Sequence, residues 1–289
     1  MWSRSSSSTT GSRNCWRPLV DAATAATLAE VVTGRVGGFL RNVYGIGHAG
    51  TCDVCRGPAT GSVCAQCSTM RATLDGATCD HTLTLMYAQG EHASGIHQSV
   101  HLMQSYKATP PDPRSMDNLR LIINVGTLLH GDCIRQELGH LWDSVTYVPS
   151  SRGRSGDHPV RNLARAVSQV ADPEAGVERF LLSLGPGYSP GCSHVARRDR
   201  FAVSDEWQGA VRGKHVLVVD DTWTTGASIQ SAAAALKLAG AESVTGLCAA
   251  RWLKWSWPDH AALLGTCTSD YDALRCMVRE GRCLVGRQP

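Results

Sequence analysis

Continuous apolar runs alternate along the chain with amphipathic segments, and this pattern predicts a mixed α/β domain. His215 to Val219 and Ser243 to Ala249 are typical of strands that are buried on both faces of a parallel sheet. Between them, the Ala-rich segment Ser228 to Ala239 is predicted to be a helix that stops at Gly240. Strands and helices in alternation indicate a parallel, doubly wound α/β sheet flanked by helices.

Segments upstream extend the same pattern. His81 to Ala88 alternates in polarity like a strand, and Ser144 to Pro149 is a short β-rich run followed by helical periodicity over Val160 to Val170. Leu119 to Leu129 predicts a helix, whereas Gln98 to Lys107 fits either a strand or a helix. These elements supply the remaining layers of one large domain.

Two further segments differ in character from this pattern of strands and helices. An Ala-rich stretch from Leu19 to Leu40 predicts an amphipathic helix, and His194 to Trp207 reads as an exposed, irregular loop. We divide the chain into a disordered extension (1–18), a helical segment (19–48), a cysteine module (49–75), the main domain (80–252) and a C-terminal tail (253–289).

Composition narrows the cellular setting. Charged residues make up 18% of the 289 residues and the net charge is only +3, so no global charge favours a nucleic-acid or membrane surface. Apolar stretches fall short of the roughly 20 residues that span a bilayer, and the first residues lack a secretory signal. We expect a cytoplasmic protein without membrane insertion, and its oligomeric state stays open.

Two Cys-x-x-Cys pairs form the most compact motif in the chain. Eight residues separate Cys52-Asp-Val-Cys55 from Cys64-Ala-Gln-Cys67, a spacing that suits a small zinc-ribbon-like module with four thiolates around one Zn²⁺. All four positions are then filled, so the zinc is structural. The alternative is a disulfide or redox pair, which needs only one such motif. Whether the module contacts nucleic acid stays open.

A buried strand that runs into a hydroxyl-rich turn is the strongest functional signal. Val216 to Ser228 delivers two carboxylates and then a loop that opens a helix, where free N–H groups favour a phosphate. The carboxylates would repel phosphate, but they suit ribose hydroxyls or Mg²⁺. Alternatively, they merely end the strand and cap the next helix. The candidate site comprises Asp220, Asp221, Thr222, Thr224, Thr225, Gly226, Ala227 and Ser228.

This loop resembles the motif by which type I phosphoribosyltransferases bind phosphoribosyl pyrophosphate (PRPP). The cysteine module ahead of it is similar to that of the ComF-type group, which is associated with competence and DNA uptake. The resemblance implies a PRPP site with Mg²⁺, in which Asp220 and Asp221 bind the ribose hydroxyls and Thr224 to Ser228 bind the 5-phosphate.

The resemblance also places two arginine-containing loops near the substrate. It implies a pyrophosphate loop at Ser150, Ser151, Arg152 and Arg154, and a flexible loop carrying Arg197, Arg198 and Arg200. Guanidinium groups pair phosphate oxygens well, although either loop can instead be an ordinary solvated basic face. His158-Pro-Val-Arg-Asn162 departs from the Arg-Gly-Phe-Asn-like stretch of ComF proteins, so only Arg161 and Asn162 correspond.

Two functional hypotheses follow. In the first, the protein is an enzyme that transfers the phosphoribosyl group of PRPP to an unknown acceptor and releases pyrophosphate. In the second, the pocket senses PRPP or a nucleotide without turnover, and the zinc module recruits single-stranded DNA, competence proteins or other partners. Trp252, Trp255 and Trp257 are expected to pack on the domain, with a base-stacking or partner-binding patch as the alternative. The irregular spacing of Cys267, Cys276 and Cys283, with His260 upstream, does not favour a second metal site.

Overall fold

The computed structural model describes residues 20–149, 158–168, 177–189, 191 and 194–280, so the predicted extension over 1–18 lies outside it. The described strands are β1 (Arg41–Asn42), β2 (His81–Gly90), β3 (Ser144–Tyr147), β4 (Glu178–Arg179), β5 (Leu182–Leu184), β6 (Phe201–Val203), β7 (His215–Trp223) and β8 (Ser243–Lys254). The described helices are α1 (Ala22–Val32), α2 (Ala65–Thr73), α3 (Gln98–Ser105), α4 (Pro113–Leu129), α5 (Gly131–Leu138), α6 (Pro159–Ala166), α7 (Ala227–Leu238) and α8 (Pro258–Thr266), with a π-helical turn at Thr33–Gly37 and a 3-10 helix at Asp205–Ala210.

Six strands form the central sheet in the spatial order β1-β2-β8-β7-β3-β4. Neighbouring strands in this sheet are parallel, except for the antiparallel pair of β1 and β2. Strands β5 and β6 form a separate antiparallel pair. The predicted α/β class with a mainly parallel sheet is confirmed.

The central strand β7 explains why its sequence is apolar without alternation. Leu217 and Val219 belong to one core cluster, and Val216 and Val218 belong to another. Successive side chains point to opposite faces of a strand, so both faces of β7 are covered. The continuous run in the sequence therefore reports a strand that is buried on both sides.

In two segments upstream of β7, the structure decides between predicted alternatives or moves a predicted boundary. Gln98 to Lys107, which the sequence left open, is helical from Gln98 to Ser105. Helix α4 begins at Pro113, six residues before the predicted start at Leu119, because the Asp112 carboxylate caps it by accepting from the Ser115 N–H at 2.9 Å. Proline suits the first helical position, where its missing N–H removes no helical bond.

Two predictions around β7 were wrong in detail. The strand continues beyond Val219 through both carboxylates to Trp223, because β8 continues to pair with it as far as Arg251. The segment His194 to Trp207 is not wholly an exposed loop, since it contains β6 and the start of the 3-10 helix. Arg200, just before β6, is 6% exposed.

The C-terminal segment packs against the body of the domain. Residues Tyr271 to Val278 contribute five buried side chains to the core, and Asn42 exchanges two hydrogen bonds of 2.8 Å with the backbone of Asp272. Trp252 and Trp255 are partly buried against the core, whereas Trp257 is 54% exposed. None of the described helices combines the length and apolar character required to cross a bilayer.

Candidate functional site

The two adjacent carboxylates lie near the carboxyl end of β7 and have different surroundings. Asp220 is buried, and its Oδ1 accepts the Asp221 N–H at 2.9 Å. The Asp221 Oδ2 accepts from the Tyr106 hydroxyl at 2.5 Å and from the Lys107 ammonium at 2.7 Å. Tyr106 and Lys107 directly follow α3, so this helix end and β7 together build the floor of the site.

These surroundings separate the acidities of the pair. Burial raises the pKa of Asp220 well above its ordinary value, and the charge of Asp221 adds to the effect. Burial acts against ionisation of Asp221 as well, but the charge of Lys107 and hydrogen bonds from Lys107 and Tyr106 lower the pKa of Asp221. The pair therefore keeps a proton on Asp220 to higher pH, while Asp221 is ionised.

Removing the carboxylate of Asp220 is expected to stabilise the ligand-free protein at alkaline pH. Its folded-state pKa lies above the unfolded value of about 3.9, so its stabilising contribution is full below that value and is lost as pH rises through the folded-state pKa. The melting temperature of Asp220→Asn relative to the native protein should therefore increase as the pH is raised above about 4. The exposed Asp117→Asn serves as control, and a pH-independent difference would contradict the assignment.

A small pocket lies at the amino end of α7, beyond the two carboxylates. Its volume is about 130 Å³, and its lining consists of His194, Asp220, Thr222, Thr224, Thr225, Gly226, Ala227 and Ser228. Gly226 is the N-cap of α7 in the left-handed conformation and provides no side-chain cap. Free N–H groups and the helix dipole favour an anion at such an end. The predicted site residues other than Asp221 thus surround one anion-sized pocket.

A tryptophan underneath the loop restricts the residue at position 226. Gly226 has a φ of +85°, and a Cβ added there would lie 2.5 Å from both Cε2 and Cζ2 of the Trp223 ring. Trp223 itself is 2% exposed. Both the backbone conformation and the close approach of this ring therefore require glycine.

A larger cleft of about 480 Å³ adjoins this pocket. Four residues line both the cleft and the pocket: Asp220, Thr222, Thr224 and Ser228. Asp221 lines the cleft alone. The other lining residues of the cleft are Met103, Gln104, Tyr106, Lys107, Val148, Pro149, His158, Pro159, Val160, Arg200 and Trp252. The cleft is thus continuous from the phosphate-sized pocket to a partly apolar wall, which gives room for a ligand with a charged and an uncharged part.

The arginines predicted for the flexible loop separate in the structure. Arg200 lines the cleft, whereas Arg197 and Arg198 are exposed and do not line it. Arg197 Nε lies 3.3 Å from Asp199, and the Arg198 guanidinium lies 2.7 Å from Asp75. The predicted pyrophosphate residues Ser150, Ser151, Arg152 and Arg154 lie outside the described residues.

The segment that departs from the ComF pattern contributes a histidine to the cleft. His158 caps α6 by accepting from the Val160 N–H, and its ring stacks on Tyr147 with centroids 5.3 Å apart. Arg161 and Asn162, the residues that correspond to the family stretch, do not belong to the cleft lining. His158, Pro159 and Val160 are therefore the residues of this segment that a ligand would meet, and His158 carries the polar group among them.

The four cysteines of the two predicted pairs come together. The Sγ atoms of Cys52, Cys55, Cys64 and Cys67 all lie within 4.8 Å of one another, and those of Cys55 and Cys64 are 3.8 Å apart. The Gly57 N–H points to Cys55 Sγ at 3.4 Å, and the Cys64 N–H points to Cys52 Sγ at 3.3 Å. Four sulfurs supported by backbone donors could bind a zinc ion as a closed, structural site.

Buried hydrogen bonds attach the cysteine module to the sheet. Arg56 is 0% exposed, its guanidinium donates to the carbonyl of Thr82 at 3.0 Å, and its carbonyl accepts from the Tyr87 hydroxyl at 2.8 Å. The Thr82 hydroxyl donates in turn to the Val54 carbonyl. Because Thr82 and Tyr87 belong to β2, the module is anchored on a strand of the central sheet.

A second buried arginine joins the cysteine module to the phosphate loop. Arg251, at 3% exposure, donates through Nη1 to the carbonyls of Trp223 and Thr224 at 2.9 and 2.5 Å. The same side chain packs on the module, since a Cβ at Gly57 would lie 2.8 Å from its Nη2. The backbone that opens the anion pocket is thus held from the side of the cysteine cluster.

Removal of this arginine should weaken both the fold and the pocket. Arg251→Met leaves the carbonyls of Trp223 and Thr224 unpaired in a buried place, which costs about 1–3 kcal/mol of the free energy of unfolding. We expect denaturant unfolding to show this loss, together with weaker anion binding at the α7 pocket. Arg120→Met, at an exposed position of α4, serves as control, and equal stability of the two variants would contradict the role of Arg251.

Several residues of the site had no role assigned to them from the sequence. Tyr106, Lys107, Arg251, His158 and Trp252 come from segments far from β7 in sequence, and only the folded sheet brings them to it. A signal existed for Arg251, which is the first charged residue after the apolar run of β8. A charged residue in such a buried strand indicates a specific partner.

Comparisons with known proteins add little. No protein-family model matches the chain, and no curated protein matches it either.

Solved structures show low similarity. The "allosteric regulatory enzyme of purine biosynthesis" is 23% identical over 45% of this chain and 25% of its own, with a TM-score of 0.27. The glutamine PRPP amidotransferase from B. subtilis is 21% identical over 51% of this chain and 30% of its own, with a TM-score of 0.31. A phosphoribosyltransferase from Corynebacterium diphtheriae is 24% identical over 55% of this chain and 96% of its own, with a TM-score of 0.26. The chain thus spans less than a third of the first two proteins, and likenesses of this size establish no function.

Proposed function

We propose that the protein binds PRPP with Mg²⁺ and transfers its phosphoribosyl group to an acceptor, with release of pyrophosphate. The observation that carries this proposal is the junction of two features at the end of β7. A paired carboxylate and an anion-sized pocket at the amino end of α7 open into one continuous cleft. A phosphorylated sugar offers a dianion and a pair of vicinal hydroxyls on one molecule.

In this proposal each part of PRPP has its own partner. The 5-phosphate enters the α7 pocket and accepts from the backbone and hydroxyls of Thr224 to Ser228. The ribose hydroxyls donate to Asp220 and Asp221. The pyrophosphate points toward Lys107 and Arg200, whose positive charges line the cleft.

Mg²⁺ supplies charge neutralisation of the pyrophosphate when it is bound. The carboxylate oxygens of Asp220 and Asp221 are the hard ligands that suit a hydrated Mg²⁺, directly or through water. Lys107 already neutralises Asp221 in the ligand-free cleft through their contact of 2.7 Å.

The reaction needs no nucleophilic side chain. A lone pair of the acceptor forms the new bond to the anomeric carbon of PRPP, and the bond from that carbon to the pyrophosphate oxygen breaks. The pyrophosphate leaves with the electron pair, and a proton of the acceptor goes to solvent. Positioning of the two reactants and stabilisation of the leaving charge supply the catalysis. The acceptor fits the part of the cleft formed by Met103, Gln104 and Trp252.

The proposed subgroup within the phosphoribosyltransferases depends on the cysteine module. We propose that the protein is of the ComF type, because a four-cysteine cluster that could bind structural zinc is attached to the same sheet as the candidate PRPP pocket. This proposal includes a role in DNA uptake, with single-stranded DNA or competence proteins as partners. Reduced thiolates are required for such a metal site, which supports a cytoplasmic location.

Turnover tests the enzymatic proposal against a sensing role. The zinc-loaded protein is incubated with PRPP, Mg²⁺ and single nucleobases or amines, and the release of pyrophosphate is measured with Asp220→Asn/Asp221→Asn as the blank. Release that depends on an acceptor supports the transferase. If PRPP binds but no pyrophosphate is released with any of the acceptors, and single-stranded DNA binds in a salt-dependent way, the sensing module is supported instead.

A further inference from the structure

A second cluster of metal-ligating side chains is separate from the four-cysteine module, since its cysteines belong to a different hydrophobic core cluster. His130, Cys133 and Cys276 bring their ligand atoms to within 4.8 Å of one another. All three are buried, with exposures of 2%, 4% and 8%. His130 joins α4 to α5, Cys133 lies in the first turn of α5, and Cys276 belongs to the segment after α8.

The hydrogen bond of His130 prepares its ring for metal binding. Nε2 lies 3.0 Å from the Ala273 carbonyl oxygen, and a carbonyl only accepts, so Nε2 carries the proton. In this tautomer of the neutral imidazole, Nδ1 is the ring nitrogen with the chemistry of a metal ligand. Histidines that bind metals commonly donate their other N–H to a backbone carbonyl or a carboxylate, which fixes both tautomer and orientation.

We propose that His130, Cys133 and Cys276 form a second zinc site, independent of the cluster at Cys52. Two thiolates and one imidazole are a ligand set that suits Zn²⁺. The described residues thus supply three of the four ligands of a tetrahedral zinc site. The folded chain itself supplies the three donors from two separate regions, 143 residues apart between Cys133 and Cys276.

The role that this position suggests is attachment of the C-terminal segment. Residues Tyr271 to Val278 contact the first part of the chain, where the Tyr271 N–H donates to Gly37 and the Ile46 N–H donates to Val278. A metal ion at His130 would fix this segment to the α4–α5 junction as well. Its loss should therefore release the C-terminal segment and leave the Cys52 cluster loaded.

Zinc content per chain tests the proposal. Full-length protein is dialysed against zinc-free buffer, and its metal is measured by mass spectrometry for the native chain and for Cys133→Ser, Cys276→Ser and the control Cys267→Ser. Cys267 is a partly buried cysteine outside both clusters. We expect Cys133→Ser and Cys276→Ser each to contain one zinc ion fewer than the native chain, and Cys267→Ser to match it. Unchanged zinc in both cluster variants would overturn the proposal.

X-ray absorption at the zinc edge of the native protein tests the proposal without any variant, and therefore also applies if the variants do not fold. A site of His130 and two cysteines adds a nitrogen shell at about 2.0 Å, with imidazole scattering, to the sulfur shell at about 2.3 Å. Pure sulfur coordination would contradict the proposal. A disulfide between Cys133 and Cys276, detected by alkylation and peptide mass spectrometry without reductant, would contradict it too.

Discussion

Replacement of both carboxylates by asparagine is expected to abolish measurable PRPP binding while the protein stays folded. Replacement of Asp221 removes a charge-assisted hydrogen bond to the ligand, worth about 1.5 kcal/mol or more, and replacement of Asp220 removes a further hydrogen bond of about 1 kcal/mol. The affinity should therefore fall at least about 50-fold. The fold tolerates the change, because Asn keeps the shape of Asp and removes a charge whose burial is unfavourable at Asp220. Calorimetric titration with PRPP and Mg²⁺ measures the affinity.

The control for this double variant is Asp117→Asn, which removes a carboxylate at an exposed position of α4. Circular dichroism and thermal unfolding verify that each variant is folded. Full PRPP affinity in the folded double variant would contradict the proposed site, and with it the proposed function. The single Asp221→Asn variant measures the contribution of Asp221 alone to PRPP affinity. It also removes the carboxylate that contacts Lys107.

Gly226→Ala is expected to give the second large effect, on both stability and binding. A left-handed conformation costs alanine about 1–2 kcal/mol, and the Cβ placed 2.5 Å from the Trp223 ring adds about 1–3 kcal/mol of overpacking. The loop must shift to relieve this contact, which displaces the N–H groups at the α7 pocket. We expect denaturant unfolding to show the combined loss and calorimetry to show at least about tenfold weaker PRPP binding.

Gly139→Ala is the matched control for backbone strain. Gly139 has a φ of +80°, and a Cβ there meets no atom within 4 Å. Its variant should therefore lose only the about 1–2 kcal/mol of the left-handed conformation, with unchanged PRPP affinity. An equal loss of stability and of affinity in both variants would show that the contact with Trp223 has no role.

The arrangement of the central strands follows closely from the sequence. Both faces of β7 and β8 are covered, so their apolar runs carry no helical or alternating period that competes with a strand. The ends are harder to predict, because pairing with a neighbour decides them. β7 passes through two aspartates and a threonine to Trp223, although these polar residues would end an isolated strand.

Irregular regions were predicted less well for a related reason. The arginine-rich run before β6 looks solvated in sequence, but pairing with β5 forms a short second sheet there and buries Arg200. The proline-rich stretch from Thr109 to Pro113 predicts a loop, whereas the Asp112 cap makes a helix start at Pro113. Such choices depend on tertiary contacts that no local window contains.

The candidate site shows the same division. The carboxylates and the phosphate loop form one contiguous segment with its own chemical logic, and the cysteine pairs have a spacing that indicates a metal site. Lys107 and Arg251 act across the sheet, so their partners could not be read from the sequence. His130, Cys133 and Cys276 form a cluster only because the C-terminal segment returns to the α4–α5 junction.

Arg251 gives the cysteine module a physical connection to the candidate substrate site. It packs beside Gly57 of the module and holds the carbonyls of Trp223 and Thr224 at the start of the phosphate loop. Metal loss that loosens the module should therefore also loosen the loop. In this respect the four-cysteine cluster contributes to the geometry of the pocket as well as to stability.

Calorimetric titration of the zinc-loaded native protein with PRPP, with and without Mg²⁺, tests the central claim most directly. Every functional proposal for this chain passes through the cleft at the end of β7. The account predicts binding at one site per chain that is strengthened by Mg²⁺. The account would be contradicted if PRPP produced no heat of binding, with or without Mg²⁺, in protein that is folded and carries zinc.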